Sequence, residues 1–245
     1  MRRRSLILGT VGLFALALWG CASAPGRPAA GDTPVTPSEI VDFSVLYSQN
    51  CAGCHGSEGK GGAAIALADP VYLAIADDAV LGRTTATGIS GTSMPAFAQS
   101  AGGMLTDKQV DVIVRGIRQS WGQPDALRGA NPPPYSSSDS GDASRGSFVY
   151  TEYCSSCHGA GGRGGQKASS IADGSFLALL NDQELRMIVI VGRPDLGAPD
   201  WRGNVAGKPM SSQDVSDVVA WLASQRPKFP GQPYPNSAKL TGEVR

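Results

Sequence analysis

Two stretches of the chain place apolar residues at the i, i+3, i+4, i+7 spacing of an amphipathic helix. They are Val110, Ile113, Val114 and Ile117 in the first, and Val215, Val218, Val219 and Leu222 in the second. Each has a start signal: Thr106 and Gln109 have the spacing of a capping box and Leu105 and Val110 that of a hydrophobic staple, while Ser211 and Asp214 fill the cap positions of the second. A shorter helix is predicted upstream of each, with Phe43, Leu46 and Tyr47 on one face in the first copy and Phe148 leading the second. A glycine-rich loop, a short helix and a proline-containing loop fill the interval, so the pattern predicts an all-α chain. The N-terminus follows a different pattern. Leu6 to Trp19 is apolar behind Arg2, Arg3 and Arg4, too short for a comfortable transmembrane helix, and reads as an export signal over residues 1–20.

The two helical blocks are copies of one unit. Tyr47, Cys51, Cys54, His55, Gly56, Gly59, Gly61 and Gly62 recur 103 residues later as Tyr150, Cys154, Cys157, His158, Gly159, Gly162, Gly164 and Gly165. Ala68-Asp69, Leu73-Ala74, Asp78 and Leu81 recur at an offset of 104, and the terminal apolar stripes at 105. This divides the chain into an export signal (1–20), a linker (21–37), a first domain (38–122), a Pro/Ser-rich linker (123–142), a second domain (143–226) and a Pro-rich tail (227–245).

Composition sharpens the picture. With 32 Gly, 17 Pro and only 7% aromatic residues, neither domain is well supplied for a large core of its own, which points to support by a non-protein group. The balance of 21 basic and 21 acidic residues argues against a basic nucleic-acid binder. Four of the five cysteines and both histidines lie in two pentapeptides, Cys51-Ala52-Gly53-Cys54-His55 and Cys154-Ser155-Ser156-Cys157-His158. Cys-x-x-Cys-His is the attachment motif for c-type haem: the thiols form thioethers with haem vinyl groups and the adjacent imidazole meets iron. The competing chemistries are a redox dithiol, which does not need the histidine, and a four-Cys zinc site, which would need the two repeats to meet. The clustered glycines are not followed by the Lys-Ser/Thr of a phosphate loop, and read as places where the backbone turns back or runs close to a haem.

On these residues the chain resembles class I cytochrome c, duplicated, with two covalent haem c groups. The resemblance implies two all-α domains wrapped round their haems, with Cys51, Cys54, Cys154 and Cys157 as attachment points and His55 and His158 as axial ligands. It also implies a methionine ligand on the loop before the last helix. Met94 in Thr92-Ser93-Met94-Pro95 fits that position, with Met104 as the less suited alternative; a thioether there favours Fe(II) and raises the potential. The second domain departs from this. The offset that aligns Pro95 with Pro199 sets Ala198 against Met94, and alanine cannot bind iron. Met187, inside a predicted helix, reads as packing. Met210 aligns with Leu105, which leaves three alternatives: a loop-borne ligand, a staple residue with an open or water-filled sixth site, or another donor. Arg193, Trp201 and Arg202 are candidates for haem propionates.

Leu18-Trp19-Gly20-Cys21 resembles the lipobox of bacterial lipoproteins, which would make Cys21 the lipidated first residue of the mature chain and explain the one cysteine outside the pentapeptides. The rival is cleavage after Ala22-Ser23-Ala24, where Pro25 is unfavourable; Arg3-Arg4 also resembles a twin-arginine signal. Residues 32–122 hold nine acids and five bases, whereas residues 143–226 hold eight of each, so the two domains offer different faces to redox partners. The expectation is an electron carrier rather than a catalyst, lipid-anchored on the periplasmic side of a bacterial membrane and exchanging single electrons with protein partners. A peroxidase-like enzyme with an open second haem and an electron-entry subunit of a larger oxidoreductase are the alternatives.

Overall fold

The structure is a computed structural model that describes Gly26 and residues 34–227. The expected export signal, Cys21 and the tail beyond Pro227 lie outside the described residues. The chain divides into two compact units, Met1–Glu39 and Ile40–Arg245. In the first, a 3-10 turn spans Pro37–Glu39, and both the amide and the hydroxyl of Thr36 donate to Glu39.

The second unit carries ten α-helices among the described residues, five per repeat. They are α1 (Phe43–Asn50), α2 (Ala52–His55), α3 (Pro70–Ile75), α4 (Asp78–Thr87) and α5 (Asp107–Trp121), then α6 (Ala143–Tyr153), α7 (Ser155–His158), α8 (Gly174–Ala178), α9 (Asp182–Val191) and α10 (Ser212–Ser224). The single short helix predicted between the glycine loop and the proline loop is two helices in each repeat. Asp69 and Asp77 start α3 and α4, each accepting from backbone amides of the first turn, and Asp173 and Asn181 do so for α8 and α9. Both predicted capping boxes form, Thr106 with Gln109 on α5 and Ser211 with Asp214 on α10.

The first and last helices of each repeat cross at a glycine, but from opposite sides. A Cβ at Gly116 of α5 would lie 2.1 Å from the Phe43 ring, whereas in the second repeat it is Gly146 of α6 whose Cβ would lie 2.0 Å from the Asp217 carbonyl oxygen. This crossing sets the inward face of α6 as Gly146, Tyr150 and Tyr153, one stripe at helical spacing. Phe148, expected to lead this helix, instead lies in its middle, off that stripe and 76% exposed. Each terminal helix also sends a tryptophan over the tyrosine of the first helix: Trp121 meets Tyr47 edge-on at 5.0 Å, and Trp221 stacks on Tyr150 at 4.3 Å.

A second equivalence was invisible in the alignment. Arg118 donates to the carbonyls of Leu73 and Ala76 and pairs with Asp78; Arg226 donates to those of Leu177 and Leu180 and pairs with Asp182. The acceptors correspond at an offset of 104, but the arginines do not correspond at any of the repeat offsets. Both tie the C-terminal end of the repeat, Arg118 within α5 and Arg226 just past α10, to carbonyls at or just beyond the end of the first short helix after the glycine loop.

Residues expected to form a plain linker are anchored in part. Arg186 of α9, 5% exposed, donates Nε–H to the Pro134 carbonyl at 3.0 Å and its other nitrogens to Ser216 and Ser212 at 3.2 Å, and Gln183 donates to the Tyr135 carbonyl at 2.7 Å. The triple proline has no amide hydrogens of its own, and its Pro134 carbonyl is held by a side chain of the second domain.

Candidate haem sites

Each pentapeptide sits on a break between two helices. The Cys51 amide donates to Tyr47 at 2.8 Å to close α1, and the Cys51 carbonyl then accepts from His55 at 3.0 Å to open α2; Cys154 does the same between Tyr150 and His158 at 2.9 and 3.0 Å. The tyrosine hydroxyls fix the far end, Tyr47 donating to the Gly56 carbonyl at 2.9 Å and Tyr150 to that of Gly159 at 2.5 Å. The helical turn places both cysteines and the histidine within one local frame, which explains why the pentapeptide works as a unit.

The four described cysteines are unpaired with one another. Burial, reinforced by Cys54, pushes the Cys51 thiol up to about 11, and burial with Cys157 pushes Cys154 up to about 11. That is the reverse of the low-pKa thiolate that a redox dithiol needs. Among the described residues, no three His, Cys, Asp or Glu side chains gather where they could hold a metal ion, so the repeats do not meet in a zinc site.

The imidazoles fit an iron ligand. His55 Nδ1 lies 2.8 Å from the Ile65 carbonyl oxygen, and His158 Nδ1 lies 2.8 Å from that of Ser169. A carbonyl only accepts, so Nδ1 carries the proton in both rings and Nε2 presents its lone pair. His55 is 7% exposed, and its Nε2 is a buried nitrogen with no hydrogen-bond partner. A buried lone pair left so is costly unless something meets it. Burial holds the His55 imidazole below its usual pKa against the opposing Ile65 contact, and Arg193 adds to the depression. Neutral imidazole is the form that binds metal.

The loops before α5 and α10 share a backbone frame. The Ile89 amide donates to the Met94 carbonyl at 3.0 Å, and the Arg193 amide to the Ala198 carbonyl at 3.0 Å. Gly88 and Gly192, with φ of +67° and +70°, end the preceding helices against these same residues. Ala198 therefore stands where Met94 stands. Met94 is partly buried, its amide held by the Thr92 hydroxyl at 3.1 Å, whereas Met104 is 83% exposed. Met210 takes the place of Leu105: its amide donates to Trp201 at 2.9 Å as that of Leu105 does to Phe97 at 2.7 Å, and both residues are buried ahead of a capping box. Met187 is buried within α9.

The side chain of Arg193, a candidate for a propionate, reaches the first repeat. It donates to the Gly62 carbonyl at 2.8 Å and forms two bonds of 2.9 Å to Asp195, whose carboxylate accepts from the Gly61 amide at 3.0 Å. Arg202 lies over the Trp201 ring at 4.7 Å and pairs with Asp200.

The sequence profile described as "Cytochrome C oxidase, cbb3-type, subunit III" matches residues 38–115 and again 141–222. The chain belongs to this cytochrome c family. It is an all-α tandem cytochrome c with two covalently bound haem c groups. It is 31% identical over 124 residues to the cbb3-type cytochrome c oxidase subunit CcoP of Azospirillum sp. (strain B510), covering 46% of this chain and 37% of that protein. It is 30% identical over 186 residues to subunit FixPc of the cbb3-type oxidase of Rhizobium leguminosarum bv. viciae, covering 71% of this chain and 58% of the relative. The cytochrome bc1 complex cytochrome c subunit of Mycobacterium tuberculosis (strain ATCC 25618 / H37Rv) is 23% identical over 233 residues, covering 90% of this chain and 76% of that subunit. The cytochrome thus spans little more than a third of the Azospirillum subunit and just over half of the Rhizobium one.

Proposed function

We propose that this cytochrome is a lipid-anchored electron carrier on the periplasmic side of a bacterial membrane, passing electrons singly between a donor and an acceptor of a respiratory chain. The observation that carries the reading is the pair of Cys-x-x-Cys-His turns, each with its imidazole Nδ1–H donating to a backbone carbonyl, and in His55 with a buried Nε2 that has no hydrogen-bond partner. In this reading Cys51 and Cys54 would attach the first haem and His55 and Met94 would hold its iron; Cys154 and Cys157 would attach the second, and His158 would hold its iron. Haem supplies a one-electron Fe(III)/Fe(II) couple when bound.

The protein's own part is positional. Ile65 and Ser169 fix the ring tautomers and make each imidazole a better donor. Burial around His55 keeps it neutral and excludes water, and the thioether of Met94 favours the reduced metal. Anchoring rests on Cys21; among the described residues no helix is long and apolar enough to cross a membrane. The relatives are named as subunits of a cbb3-type oxidase and of a bc1 complex, which supports a quinol-oxidising complex as donor and a terminal oxidase as acceptor. The same names support a second reading, residence within such a complex as its electron-entry subunit.

The test is the purified full-length protein. It is expected to carry two covalent haems per chain, to be reduced by quinol-oxidising membranes and to be reoxidised by oxidase-containing ones. Cys21→Ala is expected to move it from the membrane to the soluble periplasmic fraction. Absence of covalent haem overturns the reading, and co-purification in fixed stoichiometry with oxidase subunits selects the second.

A further inference from the structure

We propose that the second haem binds a small neutral diatomic ligand, of the carbon monoxide or nitric oxide class, on the face that Ala198 presents in place of Met94, and that Met210 is not an iron ligand. The proposal rests on the two-haem reading above and adds a binding site to it.

The case is one of elimination on a shared frame. The hydrogen bond that fixes Met94 through Ile89 is reproduced at the same 3.0 Å by Arg193 and Ala198, and Gly192 turns against Ala198 and Pro199 as Gly88 turns against Met94 and Pro95. The loop therefore delivers to the second haem the position that delivers a thioether to the first, and a methyl group arrives instead. No donor atom remains at that position.

The possible substitutes are each engaged elsewhere. The chain's only histidines, His55 and His158, are the two proximal candidates. Met187 is 4% exposed within α9. Met210 is held from both sides: its amide is bound to Trp201, and the next residue, Ser211, is locked into the capping box with Asp214. With Ser211, Ser212 and the Asn131–Pro134 segment it lines a cleft of about 380 Å³. Its backbone takes the place of Leu105 in the first repeat, not the place of Met94. Lys208 is paired with Glu152 and lies over Tyr153, and Arg193 is committed to Asp195 and Gly62.

Access differs as well. His158 is partly exposed where His55 is buried. Ferrous haem with one imidazole takes π-accepting diatomics, whereas a thioether in the sixth position competes with them. The step is coordination only: an iron–ligand bond forms, any bound water leaves, and no electron or proton is transferred.

The experiment is titration of the full-length, haem-loaded, chemically reduced protein with carbon monoxide, followed optically, in the native sequence and two variants. The native protein is expected to take one CO per chain, which is half of its haem. Met210→Leu is expected to leave that stoichiometry unchanged. Ala198→Met is expected to weaken CO binding by at least about tenfold, as an internal thioether competes at high effective concentration. Two covalent haems with no CO uptake overturn the proposal, as does CO uptake that appears only in Met210→Leu. Uptake unaltered by Ala198→Met, in a variant retaining both haems, also overturns it. Loss of covalent haem in the native protein is a different failure, that of the two-haem reading itself.

Discussion

In the first domain His55 is buried with an unpartnered Nε2, and Met94 stands on the loop before the last helix; in the second, His158 is partly exposed and Ala198 occupies the loop position. The turns that hold the two pentapeptides, and the bond from Ile89 to Met94 and from Arg193 to Ala198, recur at distances within a few tenths of an ångström, although the Ala198 amide donates to Arg193 where the Met94 amide donates to the Thr92 hydroxyl. Attachment depends on contacts within one helical turn and one loop, so it survives divergence of everything outside. The sixth ligand is a single side chain whose backbone is held by its neighbours, so it can be lost without disturbing the loop.

The largest way to break the comparison is to remove one attachment. Cys154→Ala with Cys157→Ala is expected to halve the covalent haem per chain, measured by denatured haem absorbance, while the first haem keeps its spectrum. The next makes the domains alike in the other direction. Met94→Ala is expected to give the first haem the sixth-site chemistry of the second, raising CO uptake from one to two per chain, and to lower the first haem's potential because the thioether no longer favours Fe(II). An unchanged stoichiometry in a protein that retains both haems would falsify the assignment of Met94.

A smaller effect concerns the join between the domains. Hydrogen bonding to Arg193, opposed by partial desolvation and helped by the Gly61 amide, holds the Asp195 carboxyl below its usual value. A carboxyl lowered by folding stabilises the fold fully above its unfolded pKa of about 4, and that contribution is lost as pH falls through the lower, folded value. Thermal melts taken between pH 5 and pH 2 are therefore expected to show an acid-sensitive component that Arg193→Gln reduces. Because Arg193 also bears on His55, the same substitution is expected to shift the first haem's potential downward, as a nearby positive charge that disfavours Fe(III) is removed. The second haem's potential should move less.

Much of this organisation was legible in the sequence because it is periodic or local. The capping boxes at Thr106 and Ser211, the stripes of α5 and α10, and the pentapeptides are each written within a few residues, and each is found where it was expected. Phe148 does not lead its helix because Asp142, whose carboxylate accepts from the Arg145 amide, starts it at Ala143. The reach of Arg193 into the first repeat, over a separation of 131 residues, carried no local signal at all.

By itself, the sequence determined what is carried by spacing: the duplication, the helical class, the two pentapeptides with their four cysteines and two histidines, and the alanine that stands against Met94. Tertiary structure decided what depends on which distant atoms meet. It turned each imidazole so that Nδ1 gives its proton to a carbonyl, and brought Arg118 and Arg226 from unmatched positions onto matched acceptors. It also pinned the Pro134 carbonyl to α9 and gave the Met210 amide a bond to Trp201 that matches the one from Leu105 to Phe97. Hydrogen bonds and burial between residues far apart in the chain have no period, and only the folded backbone assigns their partners.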